Sequence, residues 1–151
     1  LRLGPDPVNP SQMRIHDRMA WGRLADVWTL DCRQYRDHHA CPDPNRGGGR
    51  VVLGCDALAD PARSLLGTAQ EQWLDTGLAA DAAASNAAQD PTRWSVIAQQ
   101  TLFSPRHYPS GTVTTDNWDG YPAARARLLQ SAMPVSVGRI QRPITVSLTY
   151  N

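Results

Sequence analysis

Apolar residues along this chain change their spacing several times, and the changes lay out a mixed fold. Met13–Trp21 and Leu24–Cys32 are apolar-rich runs separated by Gly22-Arg23, which predicts two strands joined as a hairpin. Before them, Pro5, Pro7 and Pro10 break any period, so residues 1–12 read as loop. From 37 to 65 no period survives, and Pro42, Pro44, Gly47-Gly48-Gly49 and Pro61 punctuate a long irregular stretch. A helix follows: Thr68 and Glu71 have capping-box spacing, and Trp73, Leu74 and Leu78 then share one face. The alanine-rich, polar segment Asp81–Asp90 predicts fraying before Pro91. Trp94–Phe103 reads as a buried strand and Ser104–Asn117 as loop. Pro122 suits the first turn of a second helix, with Ala123, Ala124, Leu128 and Leu129 as its apolar face and Pro134 as its stop. Ile144–Tyr150, β-branched at 144, 145 and 146, predicts a last strand. Helices alternating with strands in the second half predict an α/β layer arrangement.

Length and charge change this picture little. At 151 residues the chain is one domain's worth, enough to bury a core. Its net charge of +1, from 15 basic and 14 acidic residues, gives no sign of a nucleic-acid or anionic-membrane partner. All the basic residues are arginine, as a GC-rich genome would produce, and alanine is abundant. No run approaches the ~20 apolar residues of a transmembrane helix. No charged n-region with an apolar h-region opens the chain, so a secretion signal is not present in these residues.

Cysteines sharpen it more. Cys41 and Cys55 bracket a loop rich in Pro, Asp, Asn and Gly, and a disulfide between them would staple it and imply an oxidising compartment. Cys32 is then the odd thiol, read as a small buried residue. His38, His39 and the cysteines also raise a zinc site, although no Cys-x-x-Cys or His-x₃₋₅-His pair is present.

Candidate chemistry gathers at Asp31-Cys32-Arg33-Gln34-Tyr35-Arg36. Read as a strand end, Asp31 and Arg33 point to one side. They would orient each other as a structural ion pair, or meet an anion or a metal ligand. Gln99 and Gln100 close the next strand and offer amides to the same site, or bond their own loop. Asp119 stands where a carboxylate can approach a metal, or where Asp-Gly-Tyr-Pro simply makes a turn into a helix.

Five ordered motifs resemble the PhoD-type alkaline phosphatase/phosphodiesterase family of the metallophosphatase superfamily. They are Trp21-Gly22-Arg23-Leu24-Ala25 leading to Asp31–Arg36, with Cys32 where the family has Thr; Cys41; Leu66, Gly67, Gln70, Trp73 and Leu74; Trp94, Val96, Gln99 and Gln100; and Asp116, Trp118, Asp119, Gly120, Tyr121, Pro122 and Arg125. The match runs from about 13 to 130, and the tail from 131 to 151 departs: where the family's Gly-Asp-x-His is expected, the chain reads Pro143 to Asn151. The Asp-, Asn- and His-bearing segments that supply the family's metal ligands are likewise absent.

The resemblance implies part of a layered metallophosphatase sandwich with long irregular loops. It implies a secreted, periplasmic or cell-surface parent that hydrolyses phosphomonoesters or phosphodiesters with iron and calcium. These 151 residues alone are expected to be inactive and to hold no cofactor, with Asp31, Arg33, Gln100 and Asp119 in supporting roles. Two rival expectations stand beside it: a non-catalytic structural or interaction module derived by truncation, and a small zinc-binding module.

Overall fold

The computed structural model describes residues 4–5, 13–87 and 94–133. Two short strands, β1 (Gly4–Pro5) and β2 (Met13–Arg14), pair antiparallel. The expected hairpin follows as β3 (Asp17–Trp21) and β4 (Ala25–Thr29), antiparallel with Trp21 opposite Ala25. Gly22 takes φ +56° in the turn, a conformation that glycine adopts without a Cβ clash.

The irregular stretch holds β5 (Val51–Val52) and a 3₁₀ turn over Asp56–Ala59. A Cys41–Cys55 disulfide closes this loop. Helix α1 (Thr68–Ala87) starts where expected but runs on to Ala87, into the segment expected to fray. Alanine is the best helix former, and the run 79–87 is rich in it, so propensity outweighs polarity. The capping box does not form as read. Glu71 instead turns its carboxylate to the Ser64 hydroxyl and the Arg127 guanidinium.

Strand β6 (Trp94–Ala98) pairs parallel with β4, so β4–α1–β6 is a crossover unit and β4 is central in the order β3-β4-β6. β6 is shorter than expected, and of its five residues only Ile97 is buried. It stops at Ala98 because the next residue, Gln99, is buried and bonds the chain beyond it. β7 (Val113–Thr114) pairs with β5 within the stretch read as loop. A 3₁₀ turn at Trp118–Gly120 feeds α2 (Pro122–Ala132), with Pro122 in its first turn. The strand expected over 144–150 lies outside the described residues.

Trp28 and Ile97 from the sheet meet Leu66, Leu74 and Leu78 of the α1 region, and Trp118, Tyr121, Ala124, Leu128 and Ala132 continue the same core. Leu129, expected on the buried face of α2, is exposed, and Ala132 takes its place. At the closest point of sheet and helix a Cβ on Gly77 would come within 2.2 Å of the Trp28 ring.

Candidate functional site

The six residues 31–36 are not strand. β4 ends at Thr29, and from 31 the chain bends back on itself. Asp31 causes the bend. Its Oδ1 accepts the backbone N–H groups of Arg33 at 2.9 Å and Gln34 at 3.1 Å, and its Oδ2 accepts Gln34 Nε2 at 2.6 Å. An aspartate bonding the amide two residues on is the Asx-turn pattern, which competes with strand continuation. The expected alternation of Asp31 and Arg33 on one strand face therefore fails, and their side chains make no ion pair.

Three glutamines fix this turn to the core. Gln70, at 2% exposure on α1, accepts Asp31 N–H at 2.8 Å and donates to Asp31 C=O and Leu66 C=O, both at 2.9 Å. Gln100 accepts Cys32 N–H at 2.9 Å. Gln99 Oε1 accepts from Cys32 Sγ at 3.7 Å and ties it to Thr101 N–H, the Thr101 hydroxyl and Trp118 Nε1. The Gln70 and Gln100 bonds satisfy backbone groups of a turn that neither sheet nor helix can serve. Gly67, at φ +74°, lets the start of α1 close on the turn, since a Cβ there would sit 2.9 Å from Tyr35. Cys32 is fully buried, and burial pushes its thiol up to about 11.

With the turn so held, Arg33 and Arg36 project to one place. Arg33 Nη1 at 2.9 Å, Arg36 Nη1 at 2.8 Å and His39 Nε2 at 3.1 Å all meet Asp116 Oδ1, after β7. Partial burial works against the Asp116 charge. The hydrogen bonds from Arg36 and His39 and the charge of Arg33 outweigh it, holding the carboxyl below its ordinary value. Alongside, Asp37 accepts Ser64 N–H, and the Tyr121 hydroxyl donates to the Asp37 carbonyl.

Of the residues singled out from the sequence, Asp31, Arg33 and Gln100 therefore meet at one turn. Asp119 does not join them: its Oδ1 takes the Arg125 guanidinium at 2.6 Å and its Oδ2 takes Arg106 N–H at 3.2 Å. Arg36 is expected only as part of the hexad, His39 only as a zinc candidate and Asp116 only as part of a motif; none is expected to join Arg33. Their convergence brings 33 and 116 together across 83 positions, and no local spacing signals that.

The carboxylates are engaged by donors of the chain itself. Asp31 accepts from two amides and a glutamine, Asp116 Oδ1 from two arginines and a histidine, and Asp119 from an arginine and an amide. Among the described residues no three of His, Cys, Asp and Glu stand together as cation ligands.

Comparison with known proteins gives one consistent result. The model of the PhoD-like phosphatase family matches residues 4–142. Alkaline phosphatase D of Bacillus subtilis (strain 168) is 36% identical over 132 residues, covering 85% of this chain and 20% of that protein. A solved structure of PhoD superposes with a TM-score of 0.67 at 32% identity, over 99% of this chain and 25% of that one. The chain thus spans about a fifth of the curated relative's length.

Proposed function

This chain belongs to the PhoD-like phosphatase family, and on that premise we propose that its residues form a phosphate-facing frame of a metal-dependent phosphoric-ester hydrolase. The observation that supports this reading most is the turn at 31–36. A buried carboxylate and three glutamines immobilise it, and it presents Arg33 and Arg36 together at a partly open surface. Arginine pairs are suited to phosphoryl oxygens because each guanidinium offers a planar fork of donors.

In this reading Asp31 and Gln100 are positioning residues, Arg33 faces the substrate, and Asp119 orients Arg125 at the start of α2. Iron and calcium would be held by groups outside the described residues, a reading supported by the lack, among the described residues, of three His, Cys, Asp or Glu placed together as ligands. Hydrolysis by these 151 residues alone is then expected to stay at background. The Cys41–Cys55 disulfide supports a secreted or cell-surface setting. No helix among the described residues is long and apolar enough to cross a membrane.

A chimera tests the reading. Residues 13–133 replace the matching region of the Bacillus subtilis relative, and 4-nitrophenyl phosphate hydrolysis is followed with iron(III) and calcium present. The chimera should turn over substrate, and Arg33→Ala should lower kcat/KM by about tenfold or more, a loss on the order of 1.4 kcal/mol of transition-state binding. A folded but inert chimera, or one indifferent to Arg33→Ala, would favour a non-catalytic module instead.

A further inference from the structure

Among the described residues, the arginine cluster shares a single ion-pairing carboxylate. Arg33 and Arg36 carry two permanent positive charges, and His39 adds a third when protonated. One carboxylate, Asp116, faces all of them. The neighbouring acids keep their charge but turn their oxygens elsewhere, Asp31 to its own turn and Asp37 to Ser64 N–H, so among the described residues Asp116 alone ion-pairs with the arginines. The donors are also focused on a single atom, Asp116 Oδ1. Three donors aimed at one oxygen leave guanidinium N–H groups over, and an anion with several equivalent oxygens would use them better.

Exposure shows how such an anion would arrive. Arg36 and His39 are recessed, with 18% and 12% of their side chains accessible, whereas Arg33 and Asp116 stand 49% and 43% open. The carboxylate is therefore the outermost acceptor and can swing into solvent, leaving the recessed donors in place. The geometry points to Arg33, Arg36 and His39 as a binding site for a phosphate dianion that the Asp116 carboxylate fills in the free chain. Asp116 is then an internal competitor: it keeps the guanidinia ordered and must be displaced on binding. This rests on the phosphoric-ester reading for its choice of anion, but not on hydrolysis.

Calorimetric titration with inorganic phosphate and with phenyl phosphate, at fixed ionic strength, tests it on the 151-residue chain. Asp116→Asn removes the competing charge and should bind phosphate about tenfold tighter or more than the unsubstituted chain. Arg36→Ala in that background should abolish the gain. Equal affinity of Asp116→Asn and the unsubstituted chain, or a gain that survives Arg36→Ala, overturns the proposal. Should Asp116→Asn fold poorly, imidazole nitrogen resonances of the unsubstituted chain decide. His39 should shift on phosphate addition while the exposed His107 does not, and an unmoved His39 overturns the proposal. Phenyl phosphate binding as well as phosphate marks an ester site, and phosphate alone marks a site for the free anion; binding of neither overturns it. Because no turnover is read, failure here leaves the chimera result standing, and a failed chimera leaves this result standing.

Discussion

Replacing Gln70 by methionine should loosen the turn at 31–36 without emptying the space it occupies. Methionine is close in volume and shape, so the cavity contribution is small. What is lost is the pair of bonds to Asp31, whose N–H and C=O both end on the Gln70 amide inside a residue with 0% exposure. Leaving a buried polar group unpaired costs about 1–3 kcal/mol, so two such groups cost roughly 2–6 kcal/mol. The Leu66 carbonyl, the amide's third partner, is left out of that sum, which is therefore a lower bound. Domains of this size are stable by about 5–15 kcal/mol, so the loss is a large fraction of the total. At about 2–4 °C per kcal/mol, a 4 kcal/mol loss lowers the melting temperature by roughly 8–16 °C. Urea unfolding followed by tryptophan fluorescence measures it directly, since Trp28, Trp73 and Trp118 all lie in or against the core. A loss under about 1 kcal/mol would refute the reasoning, because it would mean that water serves the turn as well as Gln70 does.

Reducing the Cys41–Cys55 disulfide, which closes a separation of 14 residues, should cost about 3 kcal/mol in denaturant unfolding, and an unchanged midpoint would count against the staple. Gly77→Ala should destabilise by about 1–3 kcal/mol despite alanine's better helix propensity, because its Cβ would meet the Trp28 ring at 2.2 Å; a rise in thermal stability would contradict this packing. Cys32, raised to about 11 by burial, binds its proton more tightly folded than unfolded. Stability from this group is therefore complete below pH 9 and is lost as pH rises towards 11, and thiol labelling at pH 8 should proceed only through unfolding. Rapid labelling of the native chain would show that Cys32 is reachable.

Much of the fold is legible in the sequence because local signals carry it. Gly22-Arg23 between two apolar runs marks the β3–β4 hairpin, and Pro122 after a turn marks the start of α2. α1 exceeds its expected length because the polar character of 81–87 hides a strong alanine propensity. Leu129 and Ala132 exchange roles because two-turn periodicity alone leaves the exact packing face of α2 open. The site was legible as a place and not as an arrangement. Asp31 was visible as important, but its Asx turn competes with the strand reading, and the apolar run before it favours strand. The partners that matter most, Gln70 and Asp116, lie 39 and 83 positions from the residues they hold. Composition and spacing do not encode such pairings; the crossover through α1 and the β5–β7 loop layer create them.

Metal uptake tests the central claim, that this chain supplies a cationic frame for phosphate and not the ligands of a metal centre. The chain, stripped with chelator and dialysed against calcium and iron(III), is assayed for metal per protein. Well below one ion per chain is expected, unchanged by Asp31→Asn or Asp119→Asn. One tightly held ion per chain that either substitution releases would contradict the account.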